Sequence, residues 1–226
     1  RQAARHLGRP PEALRLITLH LGNGASAAAI AGGRSIDTSM GMTPLEGLVM
    51  GTRCGDLDPA IPFYLARECA MTPAAIESLL NRESGLLGLA GSSDMREILA
   101  RAGQGDEQAT LALDLFCYRI RKYIGAYIAV LGGLDAVVFT GGIGEHAAEV
   151  RRRVCAGLEV FGIRLDPGRN ADPSRHAGRI QAAGAPVALL VIPTDEELEI
   201  AIQSEAVIVA TPPAGGRPGS AGSPGE

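Results

Sequence analysis

Three short apolar runs, at 14–21, 25–30 and 34–38, follow one another with only three residues between neighbours. No helix fits into such gaps, so the runs read as three adjacent strands that begin a core, with Gly32-Gly33 as a hairpin turn. The stretch after them is helical. Asp58-Pro59 and Thr72-Pro73 each pair an N-cap residue with proline at the first helical position, predicting helices over about 59–69 and 73–81. Ser92, Ser93 or Asp94 would cap a further short helix to about Ala102. Asp106 would open a long one to about Leu131, ended by Gly132-Gly133, with Leu111, Leu115, Tyr118, Ile124 and Ile128 at roughly helical spacing and turned to the sheet. Residues 136–140 form the apolar run of a buried strand, followed at once by Gly141-Gly142-Ile143-Gly144-Glu145 and a helix carrying Arg151, Arg152 and Arg153. A last strand at 187–192 leads through Pro193-Thr194-Asp195-Glu196-Glu197 into a helix toward Val209. The pattern is α/β, and 226 residues suffice for a buried core without disulfide or metal staples.

Composition removes several functions. Basic residues are dispersed and the net charge is −4, which disfavours nucleic acid. Among 21 basic residues only Lys122 is a lysine, and it lies in a helix-like run. Neither a phosphate loop of the G-x-x-x-x-G-K-[ST] type nor a protein-kinase site, which needs a strand lysine, is therefore available. Cys54, Cys69, Cys117 and Cys155 are widely separated and read as reduced thiols, mostly in or near the core of a cytoplasmic protein. Asp114, Arg119, Arg121 and Lys122 interrupt the longest apolar helix, so no membrane span is expected. The chain opens at Arg1 within a helix that ends near Gly8, a start in mid-element that points to a fragment. From Thr211 to Glu226 it is Pro, Gly, Ser and Ala, read as a disordered tail.

Four places carry candidate chemistry. Between 43 and 58, Gly47, Gly51 and Gly55 recur too densely for regular structure, and a long shaped loop is uncommon unless it serves a site. Within it stands Arg53, whose fixed, always-charged donors suit the equatorial oxygens of a transferring phosphoryl group. His20-Leu21-Gly22-Asn23-Gly24 joins the first two strands and allows close backbone approach to a phosphate, although an ordinary Asn-Gly hairpin or a core histidine accounts for it equally. Gly141 to Glu145 is a second glycine turn placed to bring N–H groups to a nucleotide. Gly142-x-Gly144-x-x-Ala147 with Asp166 beyond also satisfies a degenerate dinucleotide fingerprint, so a Rossmann reading stands as a rival. Asp195, Glu196 and Glu197 read either as helix-start acids or as a magnesium anchor, with Asp37 and Asp56 as further candidates near a metal.

Together these segments resemble the acetate kinase family. The resemblance runs through His20-Leu21-Gly22-Asn23-Gly24, then Asp37-Thr38-Ser39-Met40-Gly41-Met42-Thr43-Pro44-Leu45-Glu46-Gly47, then Met50-Gly51-Thr52-Arg53-Cys54-Gly55-Asp56. It continues in Phe139-Thr140-Gly141-Gly142-Ile143-Gly144-Glu145 and Pro193-Thr194-Asp195-Glu196-Glu197-Leu198. It implies the actin/sugar-kinase-like (ribonuclease H-like) fold, a mixed sheet flanked by helices. Residues 1–10 would end an inter-domain helix, 11–209 would be the second, nucleotide-binding domain, and the first domain, with the acetate pocket, would be absent. The implied reaction is reversible phosphoryl transfer from ATP to acetate, giving acetyl phosphate and ADP, with propionate or butyrate kinase as the alternative. By motif, the resemblance assigns Asn23 and its neighbours His20, Leu21, Gly22 and Gly24 to ATP phosphates, and Arg53 to the transferring group. Asp94, Met95 and Arg96 fall beside the adenosine, Gly141, Gly142, Ile143, Gly144 and Glu145 form an adenosine-side loop, and Glu196 holds Mg²⁺ or Mn²⁺. A homodimer is also implied.

Overall fold

The computed structural model describes residues 1–210, apart from the side chains of residues 196, 206, 209 and 210; the expected tail, 211–226, lies outside the described residues. Two units are distinguished, Arg1–Pro193 and the segment from Thr194 onward. In the first, α1 (Gln2–Leu7) ends at Gly8 in the left-handed conformation, as read from sequence. Next come β1 (Arg15–Leu21), β2 (Ala25–Ala31) and β3 (Arg34–Thr38), with Gly32 and Gly33 both at positive φ in the hairpin turn. The helical stretch holds α2 (Ile61–Glu68), α3 (Pro73–Arg82), α4 (Gly85–Ala90), α5 (Met95–Gly103) and α6 (Glu107–Leu131). Beyond it lie β4 (Ala136–Thr140), α7 (Gly141–His146), α8 (Ala148–Cys155), α9 (Pro167–Ala171) and β5 (Ala188–Val191). The second unit contains α10 (Glu196–Ala210), which Asp195 opens by accepting from Leu198 N at 3.0 Å.

One mixed sheet, ordered β3-β2-β1-β4-β5, organises the first unit. The β1–β2 and β2–β3 pairs are antiparallel, whereas β1–β4 and β4–β5 are parallel. Alternation along the strands sends Ile17, Leu19, Leu21, Val137, Phe139 and Leu189 into the larger core, against α6. Leu16, Ala136, Val138 and Leu190 go to the opposite face, where Ala3 and Ala4 of α1 cover them. Ala25, Ala27 and Ala29 on β2 are fully buried, and their small side chains let α6 lie close to the sheet.

Asp106 caps α6 as expected, accepting from Gln108 N and Ala109 N, an arrangement worth about 1 kcal/mol. The buried stripe differs from the expected one. Ala109, Ala112, Leu113, Phe116, Cys117, Ile120, Ile124, Tyr127 and Leu131 face inward, while Leu111 and Tyr118 are exposed. Leu113, Phe116, Ile120 and Ile124 supply most of the inner face's bulk, Ala109, Ala112 and Cys117 fill the closer spaces, and Leu115 and Ile128 pack partly buried against the same core, so the expected stripe errs at Leu111 and Tyr118. The Asp58-Pro59 device is displaced too: Asp58 Oδ1 accepts from Ala60 N in a turn before the helix, which starts at Ile61. Thr72 caps α3 as read, through Ala75 N.

The 43–58 loop is irregular and firmly built. Leu48, Val49 and Met50 are buried in the core. The N-terminus of α4, a helix not expected from the sequence, satisfies the loop's carbonyls: Ser84 N donates to Thr52 O, Leu86 N to Met50 O and Leu87 N to Gly51 O, at 2.9–3.0 Å. Asp56 closes the loop onto α6. Its carboxylate accepts from Gly47 N at 2.8 Å, Arg119 Nη1 at 3.0 Å and Tyr123 Oη at 2.9 Å. Those three bonds make Asp56 a structural anchor of the loop. Asp56→Ala should therefore lower unfolding free energy by about 1–3 kcal/mol, the cost of leaving such partners unsatisfied, measured as a fall in urea midpoint at constant slope. An unchanged midpoint would remove Asp56 from this role.

Candidate nucleotide-binding site

A cavity of about 480 Å³ opens where three distant segments meet. Gly22 and Asn23 come from the β1–β2 turn, Ser93 to Arg96 and Leu99 from the start of α5, and Gly142, Ile143, His146 and Ala147 from α7 and the residue after it. Seven residues singled out from sequence thus come together: Gly22, Asn23, Asp94, Met95, Arg96, Gly142 and Ile143. Leu99 and His146 were missed, while Ser93 was read only as a possible cap and Ala147 only as part of the dinucleotide fingerprint. A helical signal was available for the two missed residues, because Leu99 lies four residues after Met95 and His146 four after Gly142, on the same faces.

Local structure fixes each wall. Asp94 caps α5 through Arg96 N at 2.9 Å and holds the Arg96 guanidinium at 2.7 Å. The hydrogen bonds from Arg96 bring its carboxyl pKa down to about 2, so it is ionised across the physiological range. Met95 is buried and presents an apolar surface beside Leu99 and Ile143. In the glycine turn, Gly22 N donates to Gly24 O at 3.0 Å and Gly51 N to Asn23 O at 2.9 Å. A Cβ at Gly51 would stand 2.0 Å from Asn23 Oδ1, so a larger residue there would displace the Asn23 side chain from its place in the turn.

The other expected residues fall elsewhere. Leu21 is fully buried in the core, which leaves only its backbone for a ligand. His20, half-buried, is the next-to-last residue of β1, with its imidazole beside Gly22. Gly141 and Gly144 are buried, and the expected glycine turn is itself helical: α7 starts directly after β4, and Gly141 N donates to Glu145 Oε1 at 3.0 Å. That N–H is therefore not offered to a ligand, and Glu145 lines a different cavity. Arg53 lies outside the 480 Å³ cavity but next to it. Its Nη1 is 3.5 Å from where a Cβ on Gly24 would be, and it makes two long contacts, to Pro44 O and Met50 Sδ, each at 3.4 Å. The guanidinium faces a neighbouring polar cavity of about 660 Å³, shared with Thr52, Glu77, Asn81 and Arg82.

No three His, Cys, Asp or Glu among the described residues come together to hold a metal, and Asp94 is committed to Arg96. Asp37 lies on the exposed edge strand β3, and the Glu196 side chain lies outside the described residues. The described residues thus do not build a metal site. No disulfide links the cysteines: Cys117 and Cys155 are buried, Cys54 is half-buried and Cys69 exposed. Burial pushes the Cys117 and Cys155 thiols up to about 12, which suits inert core residues. None of the described helices is long and apolar enough to cross a membrane. The dinucleotide fingerprint also dissolves. Its glycines sit within α7 of a mixed sheet, and Asp166 caps α9 by accepting from Arg169 N at 2.9 Å.

Comparison with known proteins agrees with this geometry. The model of the acetokinase family matches residues 1–202. Acetate kinase of Syntrophobacter fumaroxidans is 58% identical over 215 residues, covering 95% of this chain and 52% of the relative. That of Clavibacter sepedonicus is 62% identical over 202 residues, covering 89% and 51%. Among solved structures, Porphyromonas gingivalis acetate kinase superposes with a TM-score of 0.86 at 43% identity, over 92% of this chain and 52% of that one. A propionate kinase from Francisella tularensis reaches 0.83 at 42%, over 88% and 50%. The chain spans about half the length of these relatives, and its mixed sheet flanked by helices is theirs. Matched by the family model from residue 1 to residue 202 and carrying its motifs on one cavity wall after another, this chain belongs to the acetokinase family.

Proposed function

We propose that this chain is the nucleotide-binding half of an acetate kinase, which transfers the γ-phosphoryl group of ATP reversibly to acetate. The observation that carries the reading is the convergence of Gly22-Asn23, Ser93 to Arg96 and Gly142-Ile143 on one cavity, with Arg53 outside it but close to Gly24 of the same turn. Met95, Leu99 and Ile143 offer apolar surface to an adenine ring. The Asn23-Gly24 turn receives the phosphates, and Arg53 lies where the chain of phosphates ends. An acetate carboxylate oxygen attacks the γ-phosphorus, the bond to the β–γ bridging oxygen breaks, and acetyl phosphate and ADP result. Acetate is ionised at neutral pH, so no strong general base is required. The work is positioning and neutralisation of charge on the equatorial oxygens, which the Arg53 guanidinium provides.

Glu196 is the proposed protein ligand of magnesium or manganese, which would supply further charge neutralisation when bound. The first domain, which holds the acetate pocket in this reading, lies outside this chain, and residues 1–10 would end the helix leading from it. A homodimer in the cytoplasm completes the proposal. Propionate or butyrate kinase is the second reading, favoured by the superposition on a propionate kinase. The methylenes that distinguish these acyl groups would be read in the other half.

Two outcomes are expected. The isolated chain should bind ADP weakly by calorimetry, yet form no acetyl phosphate trappable by hydroxylamine from acetate and ATP; turnover by this chain alone would overturn the division of labour between halves. In a protein containing both halves, Arg53→Leu should lower kcat by about 10²–10³ with a far smaller change in KM for ATP, because the donor acts on charge developed during transfer. An unchanged kcat would make Arg53 a loop residue only.

A further inference from the structure

Arg151, on α8, is 1% exposed, and none of its described partners is a carboxylate. Its Nη1 donates to Gly144 O and Glu145 O, both at 2.8 Å, which are carbonyls near the C-terminal end of α7. Nε donates to Asn170 Oδ1 at 2.7 Å and Nη2 to Asn170 O at 2.8 Å. Asn170 in turn donates from Nδ2 to Ala148 O at 2.8 Å, tying α9 to the start of α8. A buried cation balanced only by carbonyl dipoles is a costly way to fill a core, since an apolar side chain of similar size would serve packing better. The arrangement does suit bracing, because the last carbonyls of a helix carry its negative end and lack partners within it.

The brace is needed where packing is thin. The start of α7 rests on the sheet, with Gly141 against Leu21. Its far end is flanked by two cavities: the one of about 480 Å³ described above, and another of about 370 Å³ lined by Glu145, Arg151, Asp172 and Ser174. His146, the last residue of α7, lines both. Gly142 and Ile143 belong to this same six-residue helix, so whatever holds its end sets the distance between them and the Met95 wall.

We propose that Arg151 is a positioning residue: by clamping the end of α7 it fixes the width of the cavity and so sets its affinity for adenine nucleotides, without touching them. The inference rests on the nucleotide reading of that cavity. The test is ADP titration by calorimetry of the intact chain as wild type, Arg151→Met, Arg151→Lys and Asn170→Ala, with Val154→Ala as a buried control on the same helix. Arg151→Met should weaken ADP binding about tenfold or more, with Lys recovering part of the loss and Asn170→Ala falling between. Val154→Ala should lower the melting temperature yet keep Kd within about twofold of wild type, since this buried residue does not line the cavity. Equal ADP affinity in Arg151→Met and wild type would overturn the proposal, as would a loss in Val154→Ala as large as in Arg151→Met. Should Arg151→Met not fold, wild-type affinity in Asn170→Ala overturns it instead. A wild-type chain that binds no ADP would take down the nucleotide reading first, and this inference with it.

Discussion

The parallel pairing of β1 with β4 is the constraint on which the site depends. With Leu19 opposite Phe139 and His20 opposite Thr140, the two strands end side by side, and the segments that leave them open at the same edge of the sheet. Ligands of open α/β sheets bind outside the carboxyl ends of strands, and here both carboxyl ends carry glycine. The fit between them is close. A Cβ at Gly141, whose φ is +77°, would come within 2.8 Å of Leu21 O, so only glycine lets β4 turn directly into α7 beside the end of β1. Shifting that register by one residue would separate the Asn23 turn from the Ile143 wall.

Around this edge, electrostatics are used for holding parts in place. Asp56 ties the Arg53 loop to α6, Asp94 ties its own helix start to Arg96, and Arg151 ties α7 to α8 and α9. Arg53 contrasts with these. It lines a polar cavity with Thr52, Glu77, Asn81 and Arg82, and its two described contacts are long and involve one nitrogen. A guanidinium with so little bound locally retains its donors for an incoming anion.

Much of this was legible in sequence because it rested on local rules. The three-strand start, the Gly32-Gly33 turn, the Asp106 cap and the strand at 136–140 all follow from alternation, positive-φ turns and capping chemistry. The residues of the cavity walls were legible through motif resemblance, but their meeting was not, since nothing local records that Asn23, Met95 and Ile143 become neighbours. Elements whose burial depends on distant partners were read less well. On α6, Ala109, Ala112 and Cys117 share the buried face with Leu113, Phe116 and Ile120 while Leu111 and Tyr118 stay outside, and α4 is a Gly- and Leu-rich helix held by the Arg53 loop it supports. The Gly141 to Glu145 segment went the same way: glycine density suggested a turn with free N–H groups, whereas Glu145 folds back to satisfy Gly141 and the segment is helical.

If one adenine nucleotide spans the three segments gathered at the ends of β1 and β4, binding must order all three at once. Backbone hydrogen exchange of this chain with and without ADP reads that directly, because binding protects amides of the elements it orders. Protection is expected in the Gly22–Gly24 turn, at the start of α5 and in α7 together, with the exposed α2 unchanged. Protection confined to one of the three, or appearing instead around the Arg53 and Arg82 cavity alone, would contradict it.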